Sequence, residues 1–161
     1  MKKLIIIYLG NINSVPPVRS LLSSLSLIKD IETHLVVTSE GLDKDDSMKG
    51  LIDIHYIDET YKKTVSLIEK IARTKRIRRK IWQTIDCIYD SNSLLWVISD
   101  VCVKNLGKRL KQYNYVLHLF ELIETAYLIP KYKLGKFDIE DYAKMAKQVV
   151  VPEYNRAHIT K

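Results

Sequence analysis

Cysteine is scarce in this sequence. Cys87 and Cys102 are the two in 161 residues, and no metal-ligand spacing relates them, so neither a disulfide framework nor a thiolate metal centre organises the chain. Both fall in stretches of helical periodicity and read as buried thiols of a reducing cytoplasm. Glycine is sparse too, at five residues. The loop after the first apolar run holds Gly10 alone, whereas a dinucleotide-binding turn needs three glycines at fixed spacing and a phosphate loop needs Gly-Lys-Ser/Thr; both motifs are excluded. No run approaches the roughly 18 apolar residues of a membrane span. The opening run, Leu4 to Leu9, is short, and Asn11 to Pro17 offers no small-residue cleavage site, so it reads as a first strand and not as a signal peptide.

What is present is the composition of a globular domain, 47% hydrophobic and 28% charged. A chain of this length makes one domain and buries roughly 70% of its unfolded surface. Continuous apolar runs at Leu4–Leu9, His34–Thr38, Leu94–Ile98, Tyr115–Leu119 and Val149–Val151 read as strands buried on both faces, and the partly alternating Leu51–Ile57 as a strand nearer the sheet edge. Helical spacing joins Leu21, Leu22, Leu25 and Ile28 in a helix from Val18 to about Lys29. It joins Val103, Leu106 and Leu110 in another, and Ile139, Tyr142, Ala143 and Ala146 within Phe137–Lys147. Between residues 65 and 88 two stripes, Val65-Ile68-Ile71-Ala72 and Ile77-Ile81-Ile85-Ile88, run out of phase, which predicts a kink or exposed turn across Arg73 to Arg76. The order β-α-β-β-α-β-α-β-α-β predicts an α/β fold, a three-layer Rossmann-like and mostly parallel sheet with helices on both faces.

Such a sheet gathers function at the carboxyl ends of its strands: Gly10 to Ser14, Ser39-Glu40, Asp58-Glu59, Ser99-Asp100 and Glu121 to Glu124. Gly10, Asn11 and Ser14 form a turn before a helix start, suited either to holding an anionic group through backbone N–H groups or simply to starting a helix. Asp100, Glu121 and Glu124 are placed to bind sugar hydroxyls or to transfer protons, and taken singly are also ordinary surface acids. His118, inside an apolar run, reads as a hydrogen-bonded core histidine. His34, His55 and His158 share no spacing with acids, so no metal site is expected. The seven residues between Glu32 and Glu40 straddle a strand and carry no functional reading.

The formal charge of +7 is local in origin: between Lys62 and Lys80 nine basic residues face the single acid Glu69. Lys75, Arg76, Arg78, Arg79 and Lys80 are candidates for contact with an anionic surface, with Trp82 as an interfacial anchor; a solvated helix face is the alternative. The stretch lacks the interleaved aromatics that stack single-stranded bases, which favours a membrane over nucleic acid.

Lys3 to Ser14, Leu94 to Asp100, Tyr115 to Glu124 and Ala146 to Ala157 together resemble the amino-terminal domain of GT-B class glycosyltransferases, especially the retaining group that builds bacterial surface polysaccharides. The likeness spans nearly the whole of residues 1–161. It departs at Phe120, where His is common, at Lys147, where Asp is common, and at Glu153, where Ser is common. It implies an acceptor-side domain, inactive alone, with Gly10, Asn11 and Ser14 near the interdomain cleft and Glu121 near the acceptor; Glu121 and Asp100 are the catalytic candidates. It further implies no cofactor in this domain, a nucleotide sugar bound mainly by a carboxyl-terminal donor domain or separate subunit that these residues lack, and a sugar or lipid-linked acceptor. The expected location is cytoplasmic, peripheral on the inner membrane. The alternatives are a flavodoxin-like binding module, which would carry a flavin, or a basic nucleic-acid-binding domain. A receiver domain is disfavoured because Tyr8-Leu9-Gly10-Asn11 lacks an acidic pair.

Overall fold

The computed structural model describes residues 2–12, 15–38, 52–57, 66–119 and 139–151. Within them the strands β1 (Lys2–Tyr8), β2 (Ile31–Thr38), β3 (Asp53–Ile57), β4 (Ser93–Ile98), β5 (Tyr115–His118) and β6 (Gln148–Val150) pair in the order β3-β2-β1-β4-β5-β6. Every pairing is parallel. The helices are α1 (Pro16–Leu25), α2 (Leu67–Ile88), α3 (Asp100–Leu106) and α4 (Ile139–Ala143), with a 3-10 turn over Gly107–Gln112 after α3. This is the expected Rossmann-like three-layer fold.

β1 lies at the centre because its sequence suits no other place. Leu4 to Tyr8 are all buried, and successive side chains enter opposite cores. Leu4, Ile6 and Tyr8 join Leu35, Val37 and the α1 residues Val18, Leu22 and Leu25 on one face. Ile5 and Ile7 join Val36, Leu95, Val97 and Leu117 under Ile81, Trp82 and Ile85 of α2, Cys102, Val103 and Leu106 of α3 and Tyr142 of α4 on the other. Each fully buried isoleucine or leucine contributes about 1.5–3 kcal/mol. The amino ends of β1 and β4 are tied by Lys3, whose ammonium lies 3.0 Å from Asp90 and donates to the Ile88 carbonyl at 2.9 Å. The hydroxyl of Ser93, and then Lys3, hold the Asp90 carboxyl down at about 2.

Several boundaries move for identifiable reasons. β2 begins at Ile31, three residues earlier than its apolar run, because Lys2 and Lys3 of β1 pair with Ile31 and Glu32. α1 begins at Pro16-Pro17 and ends at Leu25, before the expected Lys29, where the Ser26 hydroxyl turns back onto the Ser23 carbonyl. The third helix stops at Leu106 instead of continuing to Leu110. Gly107 adopts φ 64°, and a β-carbon there would lie 3.4 Å from the Arg78 guanidinium carbon.

The predicted interruption across Arg73 to Arg76 is not there: α2 is one helix of 22 residues. Its start needs no core, since Ser66 caps it by accepting the Glu69 N–H at 3.2 Å, with Glu69 in the first turn. Lysine and arginine are good helix formers and carry it on. Ile68 and Ile71 of the first apolar stripe therefore stay exposed, at 80% and 51%, and packing begins around Ile77 and Ile81.

Trp82 is likewise corrected. It is 5% exposed, donates its indole N–H to the Leu106 carbonyl at 3.1 Å, and stacks on Tyr113 at 5.0 Å between centroids, with Arg109 4.8 Å over its ring. It belongs to the core. Cys102 is buried as expected, but Cys87 is exposed on α2.

Candidate functional site

The strand order reverses direction between β1 and β4. After β1 the chain crosses to β2 on one face, and after β4 it crosses to β5 on the other, so the two connections part and leave a crevice at the carboxyl ends of these central strands. Leu9 to Ile12 follow β1, and Ser99 and Asp100 follow β4. Gly10, Asn11 and Asp100, three of the predicted site residues, are thereby brought to one end of the sheet. Ser14, Glu121 and Glu124 lie outside the described residues, as do Ser39-Glu40 and Asp58-Glu59.

One buried thiol joins the two walls of this crevice. The Leu9 N–H donates to Cys102 Sγ at 3.3 Å, and the Ser99 hydroxyl lies 3.7 Å from the same sulfur. Burial pushes the Cys102 thiol up to about 12, outweighing both donors, so it stays protonated and serves as an acceptor, not a nucleophile. Burial raises the Tyr8 phenol as well, with Cys102 a second cause. A β-carbon on Gly10 would lie 2.7 Å from the Tyr8 hydroxyl, so a side chain at this position would have to displace the ring.

Ser99 carries the strongest backbone signal. At φ 75° and ψ 155° it is, among the described residues, the one non-glycine position with positive φ. The region is nearly glycine-only and costs of order 1–3 kcal/mol. The strained geometry lets its N–H reach the His118 carbonyl at 2.9 Å while its own carbonyl begins α3 through the Val103 N–H at 3.4 Å. Strain of this kind concentrates where a chain is forced to place groups for binding. The neighbouring His118 accepts the Trp96 indole N–H at Nδ1 over 3.4 Å, and burial lowers its pKa, so a neutral imidazole with its proton on Nε2 stands at the end of β5. It is half-buried, not sunk in the core as the sequence suggested.

These groups can do limited chemistry. Asp100, half-buried at the start of α3, accepts hydrogen bonds, and the Gly10–Asn11 turn can bring backbone close to a ligand. A cavity of about 370 Å³, lined by Lys2, Lys3, Asn92, Asn114 and Lys147 among others, opens instead at the amino ends of the strands. That is the end where open α/β sheets do not place their ligands.

The basic candidates divide on α2. Lys75, Arg76 and Arg79 are exposed and Lys80 is half-buried. Arg78 serves the fold: its guanidinium donates to the Asn105 carbonyl at 2.6 Å and to that of Lys104 at 3.1 Å, satisfying the last carbonyls of α3. Arg109 reaches back to Asp86 at 2.7 Å beside a cavity of about 290 Å³ lined also by Lys75, Arg79 and Trp82.

Sequence reasoning missed a polar cluster on the edge strand β3 and its neighbour β2. His34 Nε2 lies 2.9 Å from Glu32 Oε1, and His34 Nδ1 lies 3.1 Å from His55 Nε2 and 3.7 Å from Asp53. Burial, then His34, lowers the pKa of His55. The available signal was a repeated acid-x-His, Glu32-Thr33-His34 and Asp53-Ile54-His55, on two runs already read as strands.

No family model and no curated protein sequence matches the chain. Among solved structures, the trehalose-6-phosphate phosphatase N-terminal domain of Candida albicans aligns with 92% of this chain at a TM-score of 0.59 and 13% identity. This chain spans 40% of that structure's length. At such identity the likeness is one of fold.

Proposed function

We propose that this chain is the acceptor-side domain of a GT-B class glycosyltransferase, which transfers a sugar from a nucleotide donor to a hydroxyl acceptor in surface-polysaccharide or glycolipid synthesis and is inactive without a donor-binding domain. The observation that carries the reading is the divergence of the chain after β1 and β4, with Gly10 and Asn11 following one strand and Asp100 following the other beside the strained Ser99. Two further points support it: the four resembling segments, and the fold shared with a domain of a protein named for a phosphorylated disaccharide. Gly10 and Asn11 would line the acceptor side, and Asp100 would orient an acceptor hydroxyl. The nucleotide sugar would be held by the second domain or subunit. Amide chemical-shift mapping tests the assignment. Sugar or lipid-phosphate-linked sugar acceptors should perturb Gly10, Asn11 and Asp100 while nucleotide sugars leave them unmoved, and the purified chain should transfer no sugar. Turnover by the chain alone, or nucleotide binding at these amides, would overturn it.

A second property of the same protein is favoured by α2. It presents Lys75, Arg76 and Arg79 together with the exposed Ile68 and Ile71, the composition of a helix that lies against an anionic lipid surface. Among the described residues no helix is long and apolar enough to cross a membrane. Flotation with anionic liposomes should carry the protein upward, and Arg76→Glu with Arg79→Glu should abolish this. Flotation that survives the double variant sinks the idea.

A further inference from the structure

We propose that the acid-x-His pairs of β2 and β3 form a site for one divalent transition-metal ion of the zinc class, ligated by His34, His55 and Asp53, with Glu32 as the positioning carboxylate behind His34. The placement follows from strand geometry. Residues two apart in a strand share a face, so Glu32 with His34, and Asp53 with His55, each present two polar groups together. The parallel register sets His34 directly against Asp53 and carries His55 one step further, against Val36. Four metal-competent side chains thus converge on one face of the edge strand β3 and its neighbour β2.

The distances suit an ion. Bonds of about 2.0–2.1 Å in a tetrahedron put neighbouring ligand atoms about 3.3 Å apart. His34 Nδ1 stands 3.1 Å from His55 Nε2 and 3.7 Å from Asp53 Oδ2, one value on each side of that figure. Glu32, His34 and Asp53 each offer one ligand atom within 4.8 Å of the others, and His55 approaches this group through its 3.1 Å contact with His34. Two imidazole nitrogens facing each other at 3.1 Å need a proton between them, and a metal ion takes that proton's place. Glu32, 2.9 Å from His34 Nε2, accepts the remaining ring N–H and turns Nδ1 toward the ion, the carboxylate–histidine–metal arrangement that raises ligand basicity. Nitrogen and oxygen donors in this mixture suit zinc and its neighbours over calcium or magnesium. Access is open, since the Asp53 side chain is 73% exposed while His34 is buried beneath it.

The test uses the full chain in a Cys87→Ser background, which removes the exposed thiol as a competing ligand. After chelator treatment, calorimetric titration with zinc chloride should show saturable uptake of one equivalent with micromolar or tighter affinity and a rise in Tm. Cobalt substitution should give visible bands without a thiolate charge-transfer feature. Because His34 is buried and its loss can unfold the sheet edge, the decisive variants are Asp53→Asn and His55→Gln, each checked for native far-ultraviolet dichroism. Each should remove measurable binding, and Glu32→Gln should weaken it by about 10–100-fold without abolishing it. Absence of saturable uptake, or uptake unchanged in both Asp53→Asn and His55→Gln, overturns the site.

Discussion

Trp82→Ala is expected to destabilise the protein by about 3–5 kcal/mol, the range for deleting a large aromatic from a packed core. At roughly 2–4 °C per kcal/mol for a chain of this size, its Tm should fall by about 10 °C. The loss has several sources that a smaller residue cannot replace. The indole fills the space between α2 and the turn after α3, its N–H satisfies the Leu106 carbonyl, and its ring supports both Tyr113 and the Arg109 guanidinium. Trp82→Phe should recover much of the packing while leaving that carbonyl unbonded, at a residual cost of about 1–3 kcal/mol. Thermal unfolding followed by dichroism measures both. A Tm unchanged in Trp82→Ala, with liposome binding reduced, would return Trp82 to the interfacial role that its basic neighbours suggested.

Ser99 should give the second large effect, and of either sign according to the substituent. Ser99→Gly removes the steric cost of φ 75° and ψ 155°, and even after glycine's greater freedom in the unfolded chain it should stabilise by about 1 kcal/mol. Ser99→Val places a β-branched side chain in the same backbone conformation and should destabilise by about 3 kcal/mol or more. The spread of about 4 kcal/mol between two substitutions at one half-buried position distinguishes backbone strain from ordinary packing, which would make glycine the worse of the two. Equal effects in denaturant titration would show that the strain is not there.

The parts of the fold readable in advance were those decided by a residue's neighbours in sequence. Leu4 to Leu9, Leu94 to Ile98 and Tyr115 to Leu119 are unbroken apolar runs, and a run of that kind can be satisfied only inside a sheet covered on both faces. With right-handed crossovers the alternating order then leaves few topologies. The position of Gly10, Asn11 and Asp100 at the carboxyl ends of β1 and β4 followed from the same logic. Other features depend on partners that local pattern does not name. Ile68 and Ile71 looked like a packed stripe out of phase with the next, and the inferred break vanished once they proved to be solvated. Trp82 belongs to the continuing stripe of Ile81 and Ile85, although its basic neighbours in sequence suggest an interfacial place. The histidine cluster needed the register of two strands, and Ser99 the direction in which β4 hands over to α3.

The acid-x-His repeat also bears on how β3 finds its place. A five-residue strand at the margin of a sheet has few contacts to tell one alignment from another, and aliphatic side chains tolerate a shift by two because the same face is presented. Glu32, His34, Asp53 and His55 do not tolerate it: sliding β3 by two residues one way would carry Asp53 from His34 to Val36, and sliding it the other way would set Asp53 against Glu32, one carboxylate facing another. The four polar groups act as the teeth of a lock, admitting one frame of pairing.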